Sequence, residues 1–149
     1  MSIIDLYDLF IHNPQITTDS RNCPKGSIFF ALKGDKFDGN QYAGKALASG
    51  CVYAVIDNPD YYIGERTILV DNVLKTLQQL AHHHRKVLGL PIIGITGTNG
   101  KTTTKELVGR VLSRKFRTAV TQGNLNNHIG VPLTLLAMDR SVEIGVVEM

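Results

Sequence analysis

Between residues 92 and 112 the chain reads IIGITGTNGKTTTKELVGRVL, and the residue types and spacing are those that hold a polyphosphate. An apolar run enters a glycine-rich turn, and Lys101 and Thr102 then open an amphipathic stretch, which is the strand–loop–helix context a phosphate loop needs. Gly97 and Gly100 permit positive φ and close backbone approach, so the N–H groups of Gly97, Thr98, Asn99 and Gly100 can face one concavity. The helix start adds its dipole. Lys101 supplies a compact cation for the β and γ phosphates and is the expected catalytic residue. The hydroxyl of Thr102, with Thr103 beside it, is of the type that ligates Mg²⁺. The strict G-x-x-x-x-G-K-(S/T) spacing is not met, because Ile95 stands where its first glycine belongs. The bland alternative is a glycine-rich strand-to-helix turn with a surface lysine.

Three other groups carry chemistry. Asp19, Ser20 and Arg21 precede a strand-like SIFFAL, and read by themselves they suit an Asx-type turn with a solvated arginine. Asn124, Asn126 and Asn127 sit ahead of a helical stretch, where amides can hold a phosphate or carboxylate without adding charge, or simply cap the helix. Glu148 ends the apolar run IGVVE, at the carboxyl edge where parallel sheets present ligands, unless it is only a strand-terminal surface residue. Consecutive helical histidines such as His82, His83 and His84 point in different directions and do not converge on one ion, so a solvated or partly packed helix is expected. His12 is read as structural, and the role of His128 stays open.

The elements that must position these groups follow from periodicity. Residues 3–11 place Ile3, Leu6, Tyr7 and Phe10 at helical spacing until Asn13-Pro14 breaks the pattern. Strands are expected at 27–32, 51–56 and 67–70, with a turn segment KGDKFDGNQY and a helix over 42–49 between the first two. Asp71 is the expected N-cap of a helix carrying Val73, Leu77, Leu80 and Leu88, which Gly89 and Pro91 end. A second αβ series follows: a wholly buried strand over 91–96, a helix from Lys101, a strand at 118–120, a helix over 131–137 and a strand at 144–148. The last strand is expected at an unpaired sheet edge, which invites association.

The fold class is thus α/β, with a small N-terminal α/β domain over residues 1–89 and the start of a P-loop-type parallel α/β domain over 90–149. At 149 residues and 43% hydrophobic, the chain can bury a core or two small ones. A net charge of +3 from scattered basic residues gives no nucleic-acid footprint. Two cysteines, Cys23 and Cys51, form no metal or disulfide pattern, and no run nears the roughly 18 apolar residues of a membrane span. A cytoplasmic protein without membrane insertion is expected.

TGTNGKT (residues 96–102) resembles the ATP loop of the Mur ligases and of their relative folylpolyglutamate synthase. TTDSRNCPKGSIFFALKGDKFDG (17–39) resembles the uridine-nucleotide domain that the Mur ligases have and the synthase lacks. TQGNLNNHIGVPLTLL (121–136) is similar to the family branch that adds D-alanyl-D-alanine, whereas the diamino-acid-adding branch shows a Thr-Thr-Pro element there. The resemblance implies an ATP-dependent ligase of cell-wall precursor synthesis, with ATP and Mg²⁺ as cofactors and a monomeric parent. Its substrates would be UDP-N-acetylmuramoyl-tripeptide and D-alanyl-D-alanine. It further implies ATP binding by Gly97 to Thr103, Mg²⁺ on Thr102 and Glu148, and substrate contacts by Ser20, Arg21, Asn124, Asn126 and Asn127. Family chains are longer, with a third, C-terminal domain, so the chain by itself is expected to be inactive. The alternatives are another Mur-type ligase or a truncated, non-catalytic UDP-sugar-binding module.

Overall fold

A computed structural model describes all residues from Met1 to Met149. Helix α1 (Ile3–His12) starts at Ser2, whose hydroxyl accepts from the N–H of Asp5 while the Asp5 carboxylate accepts from the N–H of Ser2, a reciprocal cap. Its buried residues are Leu6, Tyr7 and Phe10, the stripe the sequence spacing marks. The strands β1 (Ile16–Thr17), β2 (Ile28–Phe30), β5 (Tyr53–Ile56) and β6 (Thr67–Leu69) form one parallel sheet in the order β1-β2-β5-β6. Every residue of β2 is buried, as expected of a strand covered on both faces. On one face Phe29, Ala31, Ala54 and Ile56 pack with Ala43, Ala46 and Leu47 of helix α2 (Ala43–Ala48). The alternate residues Ile28, Phe30 and Val55 point to the other face and are equally buried.

The segment read as pure turn contains more structure. Lys33–Gly34 and Phe37–Asp38 pair as a short antiparallel hairpin, β3 and β4, and Gly39–Tyr42 makes a 3-10 turn. Gly39 is required by close approach: a Cβ there would lie 2.3 Å from the Leu32 carbonyl oxygen. Buried Asn40 donates to Asp57 and accepts from the N–H groups of Asp57 and Asn58, tying the turn to the end of β5.

Helix α3 (Val73–Leu88) corrects the expected cap. Asn72, not Asp71, accepts from the N–H of Lys75, because it stands immediately before the first helical residue; the N–H of Val73 donates to Asp57. The chain divides into two compact units, Met1–Leu80 and Ala81–Met149, so the division falls within this helix.

In the second unit, β7 (Ile92–Ile95), β8 (Thr118–Val120) and β9 (Ile144–Glu148) form a parallel sheet in the order β7-β9-β8. Two expectations are overturned here. The last strand in sequence is the central strand, buried from Gly145 to Glu148, rather than an unpaired edge. The run IIGIT is not wholly buried: as an edge strand, β7 leaves Ile93 and Gly94 exposed. Helices α4 (Lys101–Leu112) and α5 (Gly130–Leu136) complete the unit.

Of the histidines, His84 is buried with its Nε2 2.7 Å from the Met138 carbonyl oxygen, and His12 Nδ1 lies 2.7 Å from that of Asp8. No group of three His, Cys, Asp or Glu residues could hold a metal ion, and no helix is long and apolar enough to cross a membrane.

Candidate functional site

The loop from Thr96 to Gly100 joins the carboxyl end of β7 to the start of α4. Gly97 has φ 146° and Gly100 has φ 73°, and Gly100 is the N-cap in the left-handed region that glycine adopts without a Cβ penalty. The chain enters α4 without a side-chain cap, and Thr104 N–H to the Gly100 carbonyl is the first helical bond. The N–H groups of Lys101, Thr102 and Thr103 therefore sit in the first turn with no intrahelical acceptor, free to bind an anion. Lys101 folds back over the loop, its Nζ donating to the Gly97 carbonyl at 2.6 Å. Thr98 and Asn99 occupy the exposed crest between the two glycines.

Glu148 faces this helix start. Its carboxylate accepts from Thr102 Oγ1 at 3.3 and 3.2 Å and from Asn126 Nδ2 at 2.9 Å, while its own N–H donates to Thr121 Oγ1 at 3.0 Å. The side chain is 2% exposed. The Asn126 hydrogen bond, helped by Thr102 and Lys105, holds the carboxyl below its ordinary range against the burial that would raise it. Two oxygen-donor groups, one hydroxyl and one ionised carboxylate, thus meet beside a helix N-terminus.

The three asparagines separate. Asn126 reaches Glu148, whereas the Asn127 side-chain Oδ1 accepts from the N–H groups of Ile129 and Gly130 and caps the entry to α5. Asn124 is exposed, and its backbone carbonyl accepts from the N–H of Asn126. Two residues that the sequence did not single out belong here: Thr121, and Lys105, whose Nζ lies 3.6 Å from Glu148 Oε2 and 3.3 Å from the Gly123 carbonyl. A lysine one helical turn beyond Lys101 carries a weak signal, since only spacing marks it.

In the first unit, Thr18, Asp19, Ser20 and Arg21 line a cavity of about 490 Å³ with Phe29, Phe37, Gly39, Tyr42 and Lys45. Asp19 makes the Asx turn, accepting from the Arg21 N–H at 2.9 Å, and also grips the guanidinium through Nε and Nη2 at 2.9 Å each. The Arg21 hydrogen bonds hold the Asp19 carboxyl down at about 2. The cavity therefore presents two cations, Arg21 and Lys45, one of them already partnered.

Residues 12–85 match the Mur ligase family catalytic domain and residues 95–149 match the Mur ligase middle domain. The chain is 43% identical to the UDP-N-acetylmuramoyl-tripeptide–D-alanyl-D-alanine ligase of Bacillus subtilis, over 90% of this chain and 30% of that one. It is 35% identical to the ligase of that name from Escherichia coli, over 90% and 29%. Among solved structures, MurF from Acinetobacter baumannii superposes with a TM-score of 0.83 at 38% identity, over 91% of this chain and 30% of that chain. The MurF ligase of Thermotoga maritima in complex with ADP superposes at 0.84 with 32% identity, over 95% and 33%. The chain thus spans about 30% of the length of the curated relatives it matches. Matched in both units and superposed on solved members, the chain belongs to the Mur ligase family.

Proposed function

We propose that this chain is the amino-terminal part of an ATP-dependent amide ligase that joins D-alanyl-D-alanine to UDP-N-acetylmuramoyl-tripeptide. The observation that carries the reading is the meeting of Thr102 and Glu148, at 3.2 Å, beside a phosphate loop. In the proposed reaction a substrate carboxylate oxygen attacks the γ-phosphorus of ATP, ADP leaves, and the dipeptide amine then displaces phosphate from the acyl carbon.

Such chemistry is mostly positioning and charge neutralisation. The first-turn N–H groups of α4 and the loop from Gly97 to Thr103 hold the phosphates. Lys101, now resting on the Gly97 carbonyl, swings onto them, and Asn126 keeps the Glu148 carboxylate aimed. The donor set suits Mg²⁺, which binds through one or two carboxylates together with phosphate oxygens, so Thr102 and Glu148 would hold it. When bound, that ion neutralises phosphate charge during transfer.

Ser20 and Arg21, in the cavity of the first unit, take the uridine diphosphate. Asn124 and Asn127 are proposed as further substrate contacts, the latter through the loop it caps. We place the boundary between the two functional domains near residue 89, and ligation needs sequence beyond the 149 residues. The match to ligases that add D-alanyl-D-alanine favours this branch over the diamino-acid-adding one.

Lys101→Ala in the full-length ligase tests the proposal. Ligation should fall by at least about a hundredfold, the scale of losing a positioned electrostatic contact to the reacting group, while UDP-sugar binding stays near wild type. Ligation at a near wild-type rate would remove the phosphate-loop assignment.

A further inference from the structure

Lys105 is 1% exposed, an unusual state for an ammonium, whose burial is costly unless partnered. Three acceptors surround its Nζ: the Gly123 carbonyl at 3.3 Å, Glu106 Oε1 at 3.4 Å and Glu148 Oε2 at 3.6 Å. None lies at the roughly 2.7–2.9 Å of a tight charge-assisted hydrogen bond. The ammonium is shared, with Glu106 reaching it from the solvent side and Glu148 from the interior. Such an ammonium can give up one partner and keep two.

We propose that Lys105 is a built-in counterion of Glu148, balancing the buried carboxylate until a divalent cation arrives with nucleotide phosphates, then falling back on Glu106 and Gly123. The proposal rests on the nucleotide reading above and adds a role that this reading does not assign. Its logic is charge balance. The charge of Glu106, whose side chain is 55% exposed, is screened by solvent, whereas Glu148 and Lys105 pair in the interior, so a dication entering alone meets a paired carboxylate and a nearby like charge. Phosphates bring the negative charge that makes the exchange favourable. Cation binding thereby becomes conditional on nucleotide.

The sign of the expected effect separates this role from a structural one, since damage weakens binding whereas removing a counterion strengthens it. Mn²⁺ binding to the nucleotide-free 149-residue chain, read by its electron paramagnetic resonance signal, is compared for wild type, Lys105→Met and Lys105→Arg. Lys105→Met should bind Mn²⁺ at least about tenfold tighter than wild type, and its melting temperature should rise on adding Mg²⁺ while that of wild type stays put. Lys105→Arg should return both to wild-type behaviour. Unchanged or weaker Mn²⁺ binding by Lys105→Met overturns the proposal. If Lys105→Met is unfolded without metal, refolding on added Mg²⁺ supports the counterion role, and failure to refold overturns it. A wild-type chain that takes up no Mg·ADP, with the Lys105→Met gain intact, would instead sink the nucleotide reading.

Discussion

Arg21 approaches its cavity with two of its five donors already committed to Asp19. Its remaining donors are available to a diphosphate, since the side chain is exposed and only one edge of the guanidinium meets Asp19. Ser20→Ala with Arg21→Ala, made in the full-length ligase, should raise the KM for the UDP-sugar peptide roughly tenfold or more while leaving the KM for ATP unchanged, as loss of charged hydrogen bonds to one ligand requires. Equal effects on both substrates would remove these residues from the site. The sequence alone offered both readings of this triplet, and the Asx turn it named as the bland one is present together with the cavity. The strand–loop–helix context of Lys101 and Thr102 was legible from one apolar run, two glycines and the amphipathic stretch that follows, and the place of Glu148 at a strand end was legible from the apolar run before it. Lys105 was not, because a lysine on a polar helix face reads as solvated until packing shows it buried. The division of labour between Asn126 and Asn127 was likewise hidden, since an asparagine that caps and one that orients a carboxylate look alike in sequence.

At the level of elements, strand order decides which parts of the second unit are firm. Periodicity marks β7, β8 and β9 but carries no information on which lies in the middle, and the central place of β9 emerges only from pairing. Native-state hydrogen exchange on the 149-residue chain should find the amides of Val146 and Val147 among the slowest of residues 81–149, because β9 is paired on both sides. The outer amides of β7 should exchange much faster. Fast exchange throughout residues 144–148 would contradict the central strand. The helix ends that the sequence marked fall within a residue or two of those observed, and the caps were less legible: Asp71 and Asn72 are equally good cap formers, and only geometry chooses Asn72. The two-residue strand β1 and the hairpin of β3 and β4 escaped notice because so short a pair has no periodicity to read.

For the whole molecule, the proposed function puts the uridine nucleotide on Met1–Leu80 and the phosphates of ATP on Ala81–Met149, the two compact units. The α/β class was legible from alternating periodicities, whereas the division between Leu80 and Ala81 was not, because it falls inside the continuous helix α3. The most direct test of the central claim is amide exchange on this chain with each ligand added singly. Mg·ADP should slow exchange at Thr98 to Thr103 and leave Thr18 to Arg21 unaffected, and the UDP-sugar peptide should do the reverse. The UDP-sugar peptide leaving Thr18 to Arg21 unprotected, or Mg·ADP protecting nothing between Gly97 and Thr103 at saturating concentration, would contradict these assignments.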